Sequence, residues 1–585
     1  RQRLLLEAAD TARMAGQPQQ AVGFLDKWLV LQHSGETRAA ALNARGGFCL
    51  KLFYVIPEPE RRPWLEQART NFVDALRDAP EGPQAGHAWL GQGWCQWLGP
   101  SPVSSRQAFT EAASRLKDSM DREQARFKLA ETLLRGGDHT NALLRFREIA
   151  DTTNATAAFR VPAMYWSVRS ALALGDLTKA EAAAQELQGR ESSSVRVGEA
   201  LLLVAQAQAD SNRTQAARAS LEALRGQLPL GDLEQREPLE RARIEVQEKQ
   251  YDQAAKIYES WLKTAAADHP DRAAVMFDLG WVRALDKNST AALGIFRKLT
   301  ETLADSPQAP LAQMWIGDHY FNLGGTNFVR AEAAYQRVRQ MKACPEVLKF
   351  RSRLLAGRAA LARPNFQDAR KYFEALAQNE KNCPGPVWSE AVFALGDVTI
   401  LESSGATAPA LDKYDAAIGL FEKLIQRNAT NAIASRAWGR IGDCHLQLAT
   451  REPARRHEQA FSAYSRALEL VGTGSVFYQA KMGQALVRES EARGAGVAEQ
   501  QNLRGQALGL YLEVFRGARL DKGMHDLFWL KQSGLAAGRL AEELGDRKQA
   551  TEILSELLKR FPSMRPHLRS RLNQLYKPAP KPAPK

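Results

Sequence analysis

Small and large apolar residues recur along the chain in a fixed order. An Ala is followed four residues later by an aromatic or large apolar residue and three residues after that by another apolar residue, as in Ala142-Phe146-Ile149. Positions three and four apart share one face of an α-helix, and the small Ala lets a second helix approach closely. The pattern therefore predicts one helix of a packed helical pair.

A second pattern lies upstream of each of these segments. A large residue is followed three residues later by an apolar residue and then by a small one, as in Met276-Leu279-Gly280. Glycine inside a helix costs about 1 kcal/mol relative to Ala, so its recurrence indicates a tight helix crossing. In several units the small residue precedes the Ala of the second helix by twelve positions, as from Gly280 to Ala292. Each unit is thus predicted to be a helical hairpin with a first and a second helix.

Fourteen such units follow one another along the 585 residues. Their second-helix alanines stand at positions 21, 68, 108, 142, 180, 217, 254, 292, 331, 369, 417, 460, 507 and 550. We expect an all-α superhelical solenoid that runs through residues 1–576 without an interior boundary, because each hairpin buries its apolar face against its neighbours. Residues 577–585 form a separate tail with Pro at every second position, which favours an extended polyproline II conformation.

The two patterns together resemble the tetratricopeptide repeat, large-x2-Leu-Gly-x2-Tyr followed by Ala-x3-Phe-x2-Ala and then Pro. The final Pro stands twelve residues after the Ala in two units, as Pro80 and Pro562. The mean spacing between units, about 41 residues, exceeds the family's 34. The additional residues fall between the small residue and the Ala, and they predict extended hairpin loops in units 2, 3, 11, 12 and 13.

Three first helices carry a Gly-Asp pair, Gly317-Asp318, Gly396-Asp397 and Gly442-Asp443. These pairs resemble the repeats of bacterial envelope tetratricopeptide proteins such as the Tol-Pal coordinating protein and the lipoprotein of the outer-membrane assembly machine. The resemblance implies a periplasmic or envelope-associated protein, with a cytoplasmic location as the alternative.

The sequence offers no catalytic motif. It contains no G-x4-G-K-[ST], no H-E-x2-H and no G-x-S-x-G segment, and no apolar run of eighteen residues that could span a membrane. We therefore expect a non-catalytic protein without a cofactor, a metal site or a transmembrane segment.

Charge adds one alternative. The formal net charge of +13 would suit nucleic acid or an anionic membrane, but the basic residues are interleaved with 66 acidic ones. The leading hypothesis is a protein–protein interaction scaffold that organises a bacterial envelope complex through its concave groove and hairpin loops. The alternative is a cytosolic helical-repeat protein that binds nucleic acid through its basic faces.

The family resemblance also implies which residues line the groove. In tetratricopeptide proteins the residue after the small one of the first helix, and the residue three before it, face the concave side. Such an acidic and apolar groove would suit a partner segment that carries Lys or Arg beside large hydrophobic residues. Each acid could instead pair with an Arg of the next repeat. The groove residues are Phe127, Glu131, Met314, Asp318, Phe393, Asp397 and Asp443.

Two of the five cysteines occupy matching positions in adjacent units. Cys344 and Cys383 are each followed by Pro and stand thirteen or fourteen residues past their unit's Ala. Repeat stacking brings such loops near one another, although a disulfide needs Cα atoms within about 7 Å. A Cys344–Cys383 disulfide and two free thiols both remain open.

Overall fold

The computed structural model describes residues 1–32, 34–117, 119–152, 156–226, 231–404, 411–471, 474–517 and 526–576. Helices account for all regular structure in these ranges, and no strand occurs among them. The all-α prediction is confirmed. The chain divides into two compact units, Arg1–Lys287 and Asn288–Lys585, which are described separately.

The first unit holds fifteen α-helices and one 3-10 helix, Pro102–Ser105. The α-helices are α1 Gln2–Met14, α2 Pro18–Leu29, α3 Glu36–Val55, α4 Arg62–Asp78, α5 Pro83–Trp97, α6 Arg106–Arg115, α7 Met120–Arg135, α8 His139–Asp151, α9 Ala157–Ala173, α10 Leu177–Arg190, α11 Val195–Asp210, α12 Thr214–Arg225, α13 Leu233–Gln247, α14 Tyr251–Thr264 and α15 Arg272–Leu285.

The second unit holds fourteen α-helices and the 3-10 helix Pro562–Met564. The α-helices are α16 Ser289–Thr302, α17 Ala309–Leu323, α18 Asn327–Gln340, α19 Glu346–Ala362, α20 Phe366–Ala377, α21 Gly385–Ser404, α22 Leu411–Arg427, α23 Ala432–Leu448, α24 Pro453–Leu470, α25 Ser475–Ala492, α26 Val497–Phe515, α27 Leu527–Glu543, α28 Arg547–Arg560 and α29 Arg565–Tyr576.

Within each unit a helix packs mainly on the helices before and after it in the chain. Most odd-numbered helices, which begin the predicted hairpins, also touch the next odd-numbered helix across neighbouring hairpins, as α11 touches α13 and α23 touches α25. In the part of the chain that the structure describes, no comparable packing joins the even-numbered helices. Since the odd-numbered helices lie closer together, they form the inner, concave side of each stack.

The fourteen alanines predicted from the sequence all lie in even-numbered helices, and each is at most 1% exposed. A residue larger than Ala at these positions would push the paired helices apart, because protein interiors leave few voids larger than a water molecule. The predicted positions of the second helices are confirmed.

Ring-on-glycine contacts mark the helix crossings. A Cβ added to Gly317 would lie 2.4 Å from the ring of Tyr335, and one added to Gly396 would lie 2.5 Å from the ring of Phe421. Only glycine leaves room for a ring at that distance. The sequence-based interpretation of these glycines as crossing points is confirmed.

Tight turns between paired helices use a Gly followed by Asp. Gly175 and Gly545 have φ angles of 71° and 80°, in the left-handed region that glycine enters without strain. The next residues, Asp176 and Asp546, each accept a hydrogen bond from the backbone N–H three positions on, at 3.0 and 2.9 Å. These side chains cap α10 and α28 at their N-termini.

The prediction of extended hairpin loops is wrong for units 2, 12 and 13, and in unit 12 only residues 449–452 connect α23 to α24. Only residues 56–61 connect α3 to α4, and only residues 493–496 connect α25 to α26. The additional residues lengthen the helices instead, so that α3 has 20 residues and α26 has 19. Longer helices are favoured because they bury further apolar side chains, such as Leu52 and Phe53 near the end of α3. The loop of unit 11 falls on residues 405–410, outside the described ranges.

Three other expectations stay predictions. The first is the continuity of the solenoid across residues 287 and 288. The second is the extended conformation of the Pro- and Lys-rich tail 577–585, which lies outside the described residues. Cys344 and Cys383 are buried free thiols in the structure. Their pairing under oxidising conditions is the third.

Candidate binding groove

The apolar residues predicted to line the groove lie in the core of the repeats. Phe127 is 8% exposed, and its ring centroid lies 5.6 Å from that of Phe146. Phe393 is 5% exposed and contacts Phe421 at 5.5 Å between centroids, while Met314 is 6% exposed. These three side chains therefore contribute to repeat packing, and a bound partner could reach them only after local rearrangement.

Two of the predicted acidic residues have intramolecular partners within their own hairpins. Glu131 forms an ion pair with Lys128 one turn earlier on α7. Asp318 accepts a hydrogen bond from the hydroxyl of Tyr335 at 2.7 Å. Their contacts are those of side chains that fix the repeat, and a role in partner binding stays a prediction.

The other two acids belong to a network across neighbouring hairpins. Arg440 lies 2.9 Å from Asp397 and 3.4 Å from Asp443, measured from guanidinium nitrogen to carboxylate oxygen. Asp443 also accepts hydrogen bonds from Tyr464 and Gln479. Burial raises the pKa of both carboxyl groups, and the Arg440 guanidinium opposes that shift. Asp397 thus pairs with an Arg of the next repeat, the alternative that the sequence left open.

The predicted residues are divided between the two compact units. Phe127 and Glu131 belong to the first unit and the other five to the second. Within the second unit, Arg440 joins Asp397 to Asp443.

A different part of the concave face has the form of a binding site. An open cavity of about 470 Å³ crosses α11, α13 and α15 of the first unit. Val275 and Val282, each 2% exposed, and the buried ring of Tyr258 contribute its apolar lining. The indole of Trp281 stands at the same cavity and is 47% exposed. The cavity therefore combines an apolar surface with an accessible aromatic ring.

Two charged residues of this cavity, Glu240 and Arg243, form an ion pair with each other. Glu240 accepts a hydrogen bond from Gln206 at 2.6 Å and another from Arg243 at 3.3 Å. Arg243 also pairs with Asp210 at the end of α11. These contacts hold α11 and α13 together and leave neither Glu240 nor Arg243 without a counterpart.

Asp278 differs from them. Its carboxylate has no hydrogen bond or ion pair with any residue that the structure describes, although it lies among the cavity-lining side chains. Partial burial raises the pKa of Asp278 to about 6. Burial is the main cause of the raised pKa of Tyr258. The carboxylate of Asp278 raises it further, as expected for neighbouring groups. A carboxylate with a perturbed pKa in a cavity is a candidate for a functional group.

The sequence rule for groove positions would have found this cavity if it had been applied to units 6, 7 and 8. The small residues Ala205, Ala242 and Gly280 precede the alanines 217, 254 and 292 by twelve positions. The rule then gives these lining residues: Gln206, Leu239, Arg243 and Trp281. The rule does not predict Asp278. What distinguishes this residue is that no cation among the described residues forms an ion pair with it.

The structure and the repeat pattern agree with a comparison of the sequence with family models. Two models, both described as tetratricopeptide repeat, match residues 65–121, 167–232, 239–310 and 409–475, and residues 532–563. The matches together cover about half of the chain. The chain is a tetratricopeptide-repeat protein. Most of its cavity lies within the matched segments, since α11 falls in residues 167–232 and α15 and the larger part of α13 fall in residues 239–310.

Solved structures with a similar course of the chain have low sequence identity to this tetratricopeptide-repeat protein. A chain of the Naa15/Naa10 complex bound to HypK-THB is 13% identical, with a TM-score of 0.36 over 98% of this chain and 79% of that one. Yeast Tom70 is 14% identical, with a TM-score of 0.30 over 93% of this chain and 96% of its own. No curated protein matches the sequence. These similarities carry no functional information about the repeat protein.

The described ranges also bear on membrane insertion and metal binding. None of their helices is long and apolar enough to cross a membrane. Nor do they contain a group of three or more His, Cys, Asp or Glu side chains that could hold a metal ion.

Proposed function

We propose that this tetratricopeptide-repeat protein is a non-catalytic scaffold that binds segments of partner proteins on the concave face of its first helices. Helical-repeat stacks present extended concave surfaces, and their common use is to hold a peptide or a helix. The observation that carries the proposal is the cavity across α11, α13 and α15, where Trp281 is 47% exposed beside the unpartnered Asp278.

Both features are unfavourable for the isolated protein. An exposed indole leaves apolar surface in water, and the cavity lining desolvates in part a carboxylate that has no ion-pair partner among the described residues. Binding of a partner would relieve both, and Trp is enriched among residues that dominate binding energy. The partner segments that fit such a surface carry basic and large apolar residues.

The location is part of the same proposal. The Gly-Asp pairs of three first helices resemble those of bacterial envelope repeat proteins, and we place the scaffold in a periplasmic or envelope-associated assembly. Fractionation of native cells, with an antibody against the chain, tests this part alone. Recovery of the protein only in the cytoplasmic fraction would contradict the location and leave the scaffold proposal standing.

Quantitative pull-downs test the binding surface. Wild-type protein, Trp281→Ala and a control, Leu144→Ala, are compared by mass spectrometry of captured proteins. Leu144 is 56% exposed on α8, the second helix of another hairpin in the compact unit Arg1–Lys287. Its substitution therefore removes apolar surface outside the groove. We expect Trp281→Ala to lose partners that Leu144→Ala retains.

Two results would contradict the proposal. Equal capture by both variants would exclude this part of the groove as the binding surface. Binding of a labelled oligonucleotide that falls steeply with salt, through counterion release, without any Trp281-dependent protein partner, would favour the nucleic-acid alternative instead.

A further inference from the structure

We propose that the cavity across α11, α13 and α15 binds one basic side chain of a partner segment, with its stem or guanidinium on the Trp281 indole and its charge beside Asp278. This inference rests on the proposed function and specifies the chemistry that the same surface recognises. It follows from three features of the cavity, namely its charge, its uncovered ring and the spacing of the two residues.

The charge balance of the cavity favours a cation. Its lining holds three carboxylates against two guanidinium groups. Glu240 and Arg243 compensate each other at 3.3 Å, so they neither attract nor repel a ligand strongly. Asp278 has no ion-pair partner among the described residues, and the lining holds one carboxylate more than it holds guanidinium groups, a charge that a basic side chain would balance.

The ring of Trp281 also differs from other indoles of the protein. Trp166 carries the Arg169 guanidinium 4.5 Å from its ring centroid, and Trp388 carries that of Arg427 at 4.7 Å. Among the described residues, neither a cation nor another ring covers Trp281, although it is 47% exposed. The indole face is therefore available for a cation–π contact with a residue of another chain.

The two residues are placed to act on one side chain. Asp278 and Trp281 are three positions apart on α15, and residues with this spacing are neighbours on a helix surface. Val275, one turn before Asp278, lies in the same lining and continues the apolar surface. A long basic side chain can then rest its methylene groups on apolar atoms while its charge meets the carboxylate.

Peptides with one variable position test the inference on the full chain. Fluorescein-labelled peptides of the frame Ser-Gly-Leu-X-Phe-Gly-Ser, with X as Lys, Arg, norleucine or Glu, are titrated by fluorescence anisotropy. We expect Lys and Arg peptides to bind about tenfold more tightly than norleucine, the size of one favourable charged contact. The Glu peptide should bind most weakly.

Four variants identify the groups responsible. Asp278→Asn should remove the preference for Lys and Arg. Trp281→Ala should weaken the binding of the Lys and Arg peptides by about tenfold. Arg236→Gln, which removes a cation from the lining, should strengthen the binding of both the Lys and the Arg peptide. Asp286→Asn, an exposed control at the end of α15, should change nothing. Circular dichroism checks that each variant is folded.

The inference is overturned if norleucine or Glu peptides bind as well as the basic ones. The same conclusion follows if Asp278→Asn keeps the preference, or if no peptide binds at millimolar concentration. Loss of partner capture by Trp281→Ala together with such a result would leave the scaffold function standing without a basic-residue pocket. If capture is also unaffected, both proposals fail.

Discussion

The hydroxyl of Tyr464 donates a hydrogen bond to Asp443 Oδ1 at 2.7 Å. Tyr335 and Asp318 form the same pair at the same distance in another hairpin of the second unit. In both, the tyrosine comes from the second helix and the aspartate follows the crossing glycine of the first. The Asp of these Gly-Asp pairs is thus a hydrogen-bond partner inside the hairpin.

A third Gly-Asp pair lacks this bond because its second helix presents Phe421 instead of tyrosine. Asp397 there forms its ion pair with Arg440 of the next hairpin. The identity of the ring therefore decides whether the carboxylate has a hydrogen-bond partner on the second helix of its own repeat.

Removing the hydroxyl should loosen one hairpin. For Tyr464→Phe we expect local opening of α23 and α24 to become easier by about 1 kcal/mol, the usual contribution of one such hydrogen bond. Gln479 and Arg440 still contact Asp443 in the variant, so the loss should stay of this order. Hydrogen exchange of backbone amides in both helices measures it.

Tyr414→Phe is the matched control. Tyr414 is 7% exposed, and its hydroxyl has no hydrogen-bond partner among the described residues. The same rise in amide exchange for both variants would show that the Tyr464–Asp443 bond contributes nothing.

Glycines on either side of one ring should tolerate no side chain. The ring of Tyr464 would lie 2.6 Å from a Cβ at Gly442 and 2.2 Å from one at Gly483. We expect Gly442→Ala and Gly483→Ala each to lower the free energy of unfolding by about 1–3 kcal/mol through overpacking. Gly509→Ala, in open space on α26, should instead stabilise by up to about 1 kcal/mol. Thermal unfolding followed by circular dichroism measures all three, and a common sign would contradict the crossing geometry.

Ionisation of Asp278 should destabilise the first unit. Its folded pKa, about 6, lies above the unfolded value of about 3.9, so the folded state holds the proton more tightly. The stabilisation from that proton is complete below about pH 4 and is lost as pH rises through about 6. The charged or titratable groups of the surrounding elements are Arg236, Glu240 and Arg243 on α13, Tyr258 on α14 and Asp271 before α15.

Asp278→Asn should therefore raise the melting temperature above about pH 7 and leave it unchanged near about pH 4. Because the side chain is exposed, solvent screening limits the gain to about 1 kcal/mol. Melting curves across this pH range, with Asp286→Asn as the control, provide the measurement. An equal gain at both ends of the range would mean that ionisation is not the cause.

Native thiols should be protected from alkylation. Burial raises the pKa of Cys49 to about 11 and that of Cys95 to about 12, and only the thiolate reacts readily. We expect iodoacetamide to label neither residue at about pH 8 until the protein is unfolded. Fast labelling of either in the native state would contradict their burial.

The same reagent in denaturant without reductant counts the free thiols. Five free thiols would mean that Cys344 and Cys383 are unpaired, as in the structure. Three free thiols, with Cys344 and Cys383 as the two unlabelled residues, would establish their disulfide. Protein purified from an oxidising compartment is the relevant sample.

Much of the fold follows from the sequence by itself. The alternation of Ala, ring and apolar residue depends on the 3.6-residue period of one helix, a local property that the sequence states directly. For this reason the fourteen second helices and the crossing glycines were correctly predicted, down to Ala21 and Ala550 at the two ends. The family membership follows from the same pattern.

The exposure of the groove positions was decided by tertiary structure. Phe127 and Trp281 both satisfy the spacing rule for the groove, yet one is 8% exposed and the other 47%. Exposure depends on which rings of neighbouring helices cover a side chain, as Phe146 covers Phe127. Likewise Asp278 has no ion-pair partner among the described residues, although Arg236 and Arg243 of α13 line the same cavity. Helical periodicity is local and readable in one segment, whereas burial and charge pairing depend on residues far apart in the chain.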